Sequence, residues 1–388
     1  MKPQFINGNS LQLLTNGAAY FLALEQAIDT AQHVVFLETY IFADDETGRR
    51  IAAALTRAVK RGVTVRVLVD GFGSNKIFDA IHRQLLIDKV QVLIYHPKIS
   101  PFTLRRNRLR RLHRKLVMID YRLAFVGGIN IIDDTNSSLV DLPVRYDYAV
   151  RIKGPLLAIL AKENKRLWNR IALLNFKLKW RTRPHRISET VSSGKQRVAL
   201  VVRDNLRHRS DIEDAYLEAI NRAQEEIIIV NAYFFPGKRF RRALRRAGGR
   251  GVRVILLLQG RMEYVLLHYA SRALYGAFLK AGVEIYDYQK SFMHAKVAVI
   301  DRRWSTVGSS NIDPFSLLLA REANVIVDDS QFAEELRISL YQHIQDGALK
   351  MDQDSWHSQP LWRRIINWSA YGVARLLLGL AGLGGKSY

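Results

Sequence analysis

The sequence predicts an α/β protein made of two similar domains, each with a mixed, largely parallel sheet flanked by helices. One reason is that apolar segments follow a β-α-β-α-β order in the first half of the chain and again in the second. The other is a polar motif that occupies residues 113–130 and recurs at 294–311 in a chain of 388 residues. Such a duplication predicts a pseudo-twofold axis, with both copies of the motif facing one cleft.

In the first half, short apolar runs alternate with segments of helical spacing. Apolar residues recur every three or four positions after the first strand, and Gly62 fits a helix C-terminus. The predicted strands are 11–14, 33–39 and 63–70; one helix carries Phe21, Leu24, Ile28 and Ala31, and another covers 48–61. The second half repeats this order. Its predicted strands are 197–202, 227–232 and 252–259, and its helices are 210–223 and 239–247. In this alignment Tyr40 matches Tyr233, and Gly62 matches Gly251.

The repeated motif reads His, one residue, Lys, four residues, Asp, six residues, and then a glycine-containing segment that ends in Asn. Apolar runs between Lys and Asp predict buried strands, and residues two apart on a strand share a face. Each His therefore projects beside its Lys, and the Asp begins a turn into a second strand. The glycines at the far end of this hairpin permit close backbone approach. The polar set is His113, Lys115, Asp120, Gly127, Gly128 and Asn130 in the first copy, and His294, Lys296, Asp301, Gly308, Ser309 and Asn311 in the second.

Two His-Lys pairs suit chemistry on a phosphodiester. Lysine and asparagine side chains can stabilise charge on the phosphoryl oxygens. One imidazole can attack phosphorus while the other protonates the leaving oxygen, since an unperturbed histidine has a pKa of about 6.5. No metal is required if cationic side chains take its part. A single His at a strand end is usually structural, but two copies with matching Lys, Asp, Gly and Asn favour a catalytic interpretation.

The charge balance predicts an anionic partner. The net charge is +23 and the pI is near 10.2, which suits acidic lipid or nucleic acid, and composition does not choose between them. The chain has no cysteine, so disulfides, cysteine-based zinc sites and a thiol nucleophile are excluded. The N-terminus lacks a long apolar core after its lysine, so no cleaved signal peptide is expected.

The motif resembles the signature of the phospholipase D superfamily, His-x-Lys-x4-Asp-x6-Gly-Ser-x-Asn, which occurs twice per active site. The first copy departs from it at Gly128, where Ser is usual, and bacterial cardiolipin synthases commonly share this Gly-Gly. The resemblance covers nearly the whole chain and is strongest to bacterial cardiolipin synthases of the B type. The stretches that carry it are LETYIFADD (37–45), RGVTVRVLVDGFGS (61–74), NAYFFPG (231–237), RGVRVILLLQG (250–260) and VGSSNIDPFSL (307–317).

The resemblance implies a two-step exchange through a phosphohistidine. A phosphatidyl group would pass from one phosphatidylglycerol to another, with release of glycerol and without a cofactor or metal. His113 is expected to be the nucleophile and His294 the general acid and then base, although the reverse assignment stays open. The implied catalytic residues are His113, Lys115, Asp120, His294, Lys296 and Asp301, with Asn130, Asn311, Ser309, Asp147 and Glu322 in phosphate-binding or supporting roles. Asp120 and Asp301 are expected to anchor the motif through hydrogen bonds, while Glu322 supports His113 and Asp147 supports His294.

Three other functions compete with transfer. A phospholipase D that hydrolyses phospholipid to phosphatidate would use the same site with water as the acceptor. A nucleic-acid phosphodiesterase would suit the charge, but the apolar C-terminal helix argues against it, so no nucleic-acid partner is expected. A binding protein with an inactive site is disfavoured because both motifs are intact.

The expected domain order is a first domain at 1–176, a linker at 177–196, a second domain at 197–355 and an amphipathic helix at 356–388. Apolar residues of this tail share one helical stripe, with arginines opposite, which predicts a helix that lies in a membrane interface; a helix packed on the protein's own core and a full span are the alternatives. With phosphatidylglycerol and a membrane surface as partners, the resemblance implies a peripheral location on the cytoplasmic side of the bacterial inner membrane. The oligomeric state stays open.

Two further segments are assigned to lipid contact. The stretch 99–115 contains six arginines and leads into His113, so it is expected to bind anionic headgroups at the cleft mouth. Phe234, Phe235, Phe292 and residues 313–319 are candidates for acyl-chain contacts, with core packing as the alternative.

Overall fold

The computed structural model describes residues 3–74, 79–96, 110–134, 144–182, 191–204, 207–313 and 320–380, and the arginine-rich stretch at 99–109 falls outside them. The strands are β1 (Ile6–Thr15), β2 (Val34–Thr39), β3 (Thr64–Asp70), β4 (Gln91–Tyr95), β5 (Arg111–Leu112), β6 (Lys115–Ile119), β7 (Leu123–Gly127), β8 (Tyr148–Lys153), β9 (Gln196–Arg203), β10 (Glu226–Asn231), β11 (Arg253–Gln259), β12 (Glu284–Tyr288), β13 (Lys296–Ile300), β14 (Trp304–Gly308), β15 (Ala320–Asp328) and β16 (Ala348–Met351). The helices are α1 (Asn16–Asp29), α2 (Glu46–Lys60), α3 (Asp79–Ile87), α4 (Leu156–Leu174), α5 (Asp211–Arg222), α6 (Lys238–Gly249), α7 (Val265–Arg272), α8 (Tyr275–Leu279), α9 (Ser330–Gly347), α10 (Gln353–His357) and α11 (Leu361–Leu380), with a 3₁₀ turn at Leu178–Trp180.

The two halves of the chain share one strand order. In the first half the strands run β4-β3-β2-β6-β7-β8-β1, and in the second β12-β11-β10-β13-β14-β15-β9, with β16 added beside β12. The edge strands β1 and β9 pair antiparallel, so the two halves form one continuous sheet. The short strand β5 of the first half pairs with β15 of the second. The predicted α/β class and internal duplication are therefore confirmed.

The prediction of a largely parallel sheet is wrong, although the mixed character is confirmed. Among the strands of the described residues, parallel pairing is confined to β2-β3-β4 and β10-β11-β12, apart from the short β5–β15 pair. The other neighbours along the described sheet are antiparallel, because each motif folds as a hairpin and the next strand returns beside it. The β-α-β-α-β segments account for only the parallel part of each half.

The structural equivalence of the halves differs from the sequence alignment by one residue at the end of β2. The bridge between Phe42 and Ile131 corresponds to the bridge between Phe234 and Ile312. Tyr233 therefore matches Ile41 rather than Tyr40. A slip of one position in an extended strand sends the side chain to the opposite face, so the two tyrosines are not equivalent.

Helix α2 illustrates how local sequence sets the ends of an element. The side chain of Asp45 accepts a hydrogen bond from the Gly48 amide at 2.8 Å, which satisfies one of the free N–H groups of the first turn. Arg57 and Lys60 lie in the last turn, where cations are favourable. Gly62 follows with a φ of 89°, as the predicted helix C-terminus requires.

One face of the sheet carries a core that is common to both halves. Helices α4 and α9 cover it, and Trp168 and Phe332 from these helices are buried in the same apolar cluster as Phe36 and Val299. The opposite face is divided. Helices α1, α2 and α3 cover the first half, and α5 and α6 cover the second, each over a separate cluster. The shared core holds the two copies of the motif in a fixed relation.

The C-terminal helix α11 lies along α7 and presents an apolar surface to solvent. Its inner side includes Ala374 and Leu378, which are buried in the core of the second half. Its outer side is apolar, with at least 39% of each side chain exposed for Leu361, Trp362, Ile365, Ile366, Trp368, Val373, Leu376 and Leu377. No helix among the described residues is long and apolar enough to cross a bilayer. The helix thus packs on the protein and still exposes apolar area.

Candidate active site

Each copy of the motif folds as a hairpin that its aspartate ties to the neighbouring strand. The turn residues Asp120 and Tyr121 have φ values of 49° and 57°, and Asp301 in the second copy has 48°, the left-handed region that such a tight reversal of the chain uses. The Asp120 carboxylate accepts from the backbone amides of three consecutive residues that lead into β2, and Asp301 does the same ahead of β10. These donors are Gln32, His33 and Val34 at 2.7–2.8 Å, and Gln224, Glu225 and Glu226 at 2.9–3.0 Å.

The structure does not bring the two aspartates to the imidazoles. Asp120 follows the last residue of β6, whereas Lys115 begins that strand, and Asp301 stands in the same relation to β13. With three backbone donors each, these carboxylates hold the hairpin against the sheet. Asp120 and Asp301 are therefore positioning residues, at the end of each hairpin that lies away from the histidine.

At the other end of each hairpin, the histidine is bound by the opposite half of the chain. The His113 amide donates to the Arg321 carbonyl at 3.0 Å, and the His294 amide donates to the Tyr146 carbonyl at 2.7 Å. Lys115 Nζ donates to the His113 carbonyl at 2.6 Å, and Lys296 is bonded in the same way to its own histidine. The two copies therefore face each other at the junction of the halves.

Each imidazole contacts the carboxylate that the sequence assigned to it. His113 Nδ1 lies 2.9 Å from Glu322 Oε1, and His294 Nδ1 lies 2.7 Å from Asp147 Oδ2. The carboxylates are 0% and 3% exposed, while the imidazoles keep 14% and 15% of their surface. Because an ionised carboxylate only accepts hydrogen bonds, Nδ1 carries the proton and Nε2 presents its lone pair. Both histidines are thus oriented for nucleophilic or proton-transfer chemistry through Nε2.

The two His–carboxylate pairs differ at the position where the first motif has glycine. In the second half, Ser309 Oγ donates to Glu322 Oε2 at 2.5 Å, which fixes the carboxylate that holds His113. In the first half, a Cβ on Gly128 would collide with the carboxylate of Asp147. Asp147 instead accepts from the Tyr148 amide at 2.8 Å. The first motif therefore has glycine at position 128 where the Asp147 carboxylate lies against the backbone, and the second motif has Ser309 bonded to the longer Glu322.

The two asparagines are buried beside the motifs, at 4% and 3% exposure for Asn130 and Asn311. The amide oxygen of Asn130 accepts from the Ile41 amide at 3.2 Å, which orients the side chain. With its oxygen engaged, Asn130 can offer its NH₂ group to a phosphoryl oxygen. This is the arrangement expected of a residue that stabilises developing negative charge.

Burial sets the protonation of the site. It lowers the pKa of Lys115 to about 7 and that of Lys296 to about 8, and the neighbouring ammonium adds to the shift at Lys115. Burial also lowers the pKa of both imidazoles, so they are neutral at neutral pH. In contrast, burial raises the pKa of Asp147 to about 6. The His294–Asp147 pair therefore takes up a proton as the pH falls towards 6.

Two residues near the site were not assigned a role from the sequence. The Tyr40 ring lies edge-on to the His113 ring, with centroids 4.9 Å apart, and Lys115 Nζ lies 5.4 Å from its centroid. Arg145 adds to the lowering of the His294 pKa that burial and Lys296 cause. Both residues adjoin stretches already singled out, since Tyr40 follows the predicted strand 33–39 and Arg145 lies two residues before Asp147.

The assignment of Phe234 and Phe235 to acyl-chain contact is wrong. They are 5% and 3% exposed and belong to the core of the second half. Phe292 is half-buried, and residues 314–319 lie outside the described part of the chain. The alternative of core packing therefore holds for this pair.

Comparisons with known proteins agree with the repeated architecture. A family model described as "Cardiolipin synthase, PLD-like domain" matches residues 24–168 and 216–344. The chain is 40% identical over 383 residues to cardiolipin synthase B of Shigella flexneri and to that of Escherichia coli (strain K12); each alignment covers 98% of this chain and 92% of the relative. The crystal structure of phosphatidylserine synthase from Haemophilus influenzae Rd KW20 superposes with a TM-score of 0.70 at 14% identity, covering 96% of this chain and 95% of that one.

Proposed function

This chain belongs to the cardiolipin synthase family of phospholipase D-like proteins, and from that membership we propose that it transfers a phosphatidyl group between two phosphatidylglycerol molecules with release of glycerol. The observation that carries the proposal is the pair of imidazoles, each oriented by a carboxylate from the opposite half. A site with two such pairs can attack phosphorus on one side and exchange a proton on the other.

In the proposed reaction, His113 Nε2 attacks phosphorus and forms a phosphatidyl-histidine. His294 donates a proton to the leaving glycerol oxygen, and it later accepts a proton from the hydroxyl of the second phosphatidylglycerol. The His294–Asp147 pair suits this role because burial raises the pKa of Asp147 to about 6, so that the pair can hold the proton that His294 delivers. Lys115, Lys296 and the two asparagines stabilise the charge on the phosphoryl oxygens.

The transfer is tested by the lipid products. Purified protein is incubated with phosphatidylglycerol vesicles in the presence of EDTA, and the lipids are analysed by mass spectrometry. Cardiolipin together with glycerol is the expected result. Phosphatidate alone would mean that water is the acceptor and that the protein is a hydrolase, and an absence of lipid turnover would contradict the proposal.

The activity is expected to fall as the pH rises through 7 to 8. The pKa of Lys115 is about 7 and that of Lys296 about 8, so each ammonium is present at lower pH and is lost as the pH rises through these values. Loss of positive charge weakens the binding of the phosphodiester by the free enzyme. We expect kcat/KM for phosphatidylglycerol to show this alkaline decline more strongly than kcat, because bound phosphate favours the ammonium form.

A Lys115→Arg variant tests the cause of that decline. Arginine stays charged throughout this pH range. The alkaline decline of kcat/KM in the variant should therefore move to higher pH, whatever the absolute rate. The exposed Lys238 on α6 supplies a control, since Lys238→Arg should leave the profile unchanged. An identical alkaline decline of kcat/KM in Lys115→Arg and in the wild type would contradict the assignment of this decline to Lys115.

We also propose that the outer face of α11 lies on an anionic membrane as a peripheral attachment. Helix α11 packs along α7, and Met262, Tyr264 and Val265, before and at the start of α7, are each more than half exposed. An apolar surface of this extent is typical of a protein or membrane contact, and the strong positive charge favours an anionic bilayer. Attachment would bring the cleft within reach of its lipid substrates.

The Trp362→Ser/Trp368→Ser double variant is expected to bind vesicles containing phosphatidylglycerol about tenfold more weakly, because two large apolar side chains are lost from the interface. Co-sedimentation with vesicles measures the effect. Phe176, which is 91% exposed outside this surface, supplies the matched control Phe176→Ser. Equal vesicle binding by both variants and the wild type would exclude α11 as the attachment.

A further inference from the structure

The segment between β11 and α7 brings a carboxylate to the second half of the cleft that the first half lacks. This carboxylate belongs to Glu263, and the residue at the matching distance after β3 is Ser74. Ser74 is buried, and its hydroxyl donates to the Tyr40 carbonyl at 2.9 Å, so it serves the backbone. Glu263 is exposed instead. At this position the first half therefore has a hydroxyl that bonds the backbone, whereas the second half has an accessible carboxylate.

A hydrogen bond to its carboxylate and contacts of the neighbouring residues hold Glu263 in place. The Tyr233 hydroxyl donates to its carboxylate, and the Tyr264 ring packs against the Tyr233 ring with centroids 5.3 Å apart. The segment itself is fixed by Arg261, whose Nε donates to the Gln289 carbonyl at 2.6 Å. At the end of α7, Arg272 Nη2 lies 2.5 Å from Asp287 Oδ2. A carboxylate anchored in this way is held in one position.

The segment that carries Glu263 adjoins the second motif. Burial lowers the pKa of Lys296, and Glu263 is among the nearby carboxylates that oppose this shift. Burial raises the pKa of Tyr40, and Tyr264 adds to that increase. Tyr40 in turn contacts the His113 ring. The backbone places the segment beside the second motif, since Gln259 Nε2 donates to the Met293 carbonyl at 3.4 Å and the Ala232 amide donates to the Ala295 carbonyl at 3.1 Å. Glu263 follows Gln259 by four residues and is bonded to Tyr233, the neighbour of Ala232, so its carboxylate lies on the His294 and Lys296 side of the site.

An exposed carboxylate in a cleft that binds a phosphodiester repels its own substrate. The repulsion is offset only if the acid binds a neutral part of that substrate. Tyr233 engages part of the Glu263 carboxylate, which leaves further lone pairs to accept hydrogen bonds. The two free hydroxyls of a glycerol headgroup are neutral donors that suit such an acceptor, and bonds to an ionised acceptor are the stronger kind.

We propose that Glu263, positioned by Tyr233, is the subsite that binds the glycerol headgroup of phosphatidylglycerol. The inference rests on the proposed function. In a double displacement at one phosphorus, the leaving alcohol departs opposite the attacking histidine and the entering alcohol arrives along the same line. One subsite beside His294 therefore serves the departing glycerol first and the glycerol of the second lipid afterwards.

Substrates with and without a glycerol group test the proposal. For Glu263→Ala and Glu263→Gln, kcat/KM for glycerol release from phosphatidylglycerol should fall on the order of ten- to hundredfold, the value of a charged hydrogen bond in a binding site. Turnover of bis(p-nitrophenyl) phosphate, which has no hydroxyl to bind, should stay the same or increase as the repulsive charge is removed. Tyr233→Phe should lower the activity on phosphatidylglycerol in the same direction and by less. The exposed carboxylate of Asp346 supplies a control, and Asp346→Ala should behave as the wild type on both substrates.

Equal losses on the two substrates would assign Glu263 to the chemistry or to folding and overturn the proposal. Unchanged activity on phosphatidylglycerol would also overturn it. Glycerol is released whether water or lipid is the acceptor, so the ratio between substrates tests the subsite even if the wild type forms phosphatidate and the transferase assignment fails. A wild type that releases no glycerol from phosphatidylglycerol would contradict both.

Discussion

The His294→Ala variant is expected to accumulate a phosphatidyl group on His113, with cardiolipin formation reduced by about 10³-fold or more, since loss of general acid–base catalysis typically costs 10²–10⁴. In this variant the nucleophile and its partner Glu322 remain intact, while the group that protonates the leaving oxygen and deprotonates the acceptor is absent. A donor with a p-nitrophenol leaving group needs no protonation, so the covalent intermediate should form in a burst and then persist. Mass spectrometry of a proteolytic digest would locate the adduct.

The His113→Ala variant is the matched control. It should form neither the adduct nor cardiolipin, because the nucleophile itself is removed. The opposite pattern, with an adduct on His294 in His113→Ala, would reverse the two roles and leave the double-displacement mechanism in place. Failure of both variants to show an adduct, with activity lost in each, would favour direct transfer without an intermediate.

Glu38→Ala is expected to lower the free energy of unfolding by about 3–5 kcal/mol, because it leaves the Arg114 guanidinium buried without its partner. Arg114 lies between His113 and Lys115 and points to the other face of the strand. Its Nη2 donates to Glu38 Oε1 at 2.8 Å, and its Nε donates to the second oxygen. The two side chains are 2% and 4% exposed, so water cannot replace the lost contact. Urea denaturation measures the change.

The second half of the chain provides the control for this pair. The positions that match Glu38 and Arg114 are Val230 and Ala295, both 0% exposed, so the same place in the fold is apolar there. A Glu38→Leu/Arg114→Met double variant should recover most of the stability, since apolar residues of similar volume commonly replace a buried ion pair at little cost. A double variant as unstable as Glu38→Ala would mean that the ion pair itself, and not the unpaired charge, is the essential feature.

The local pattern of the sequence predicts many of the helices, strands and site residues. Strand order and register depend on contacts between distant segments and are not predicted by it. Periodicity and glycines place the β-α-β-α-β segments, and the repeated motif identifies both hairpins. The return of each hairpin against its neighbours follows from pairing between distant segments, which period-2 alternation does not encode. The predicted proportion of parallel strands failed for that reason.

The same limit explains the mismatch of the tyrosines. Tyr40 and Tyr233 stand at similar distances from their strands in the sequence, and only the backbone bridges at Phe42 and Phe234 reveal the shift of one residue. The carboxylate partners were identified from a resemblance rather than from spacing, because Glu322 is 209 positions from His113 in the chain. Glu263 has no sequence signal of its own, since it becomes visible only through its bond to Tyr233 and its place beside Lys296.

The continuous sheet constrains how a bulky two-chain lipid can enter and leave. Three features join the halves: the pairing of β1 with β9, the β5–β15 contact and the shared core beneath α4 and α9. Separation of the two halves to open the cleft would break these contacts, so the halves form one rigid unit rather than two domains that move about a hinge. Exchange of donor, glycerol and product must then take place without separation of the two halves.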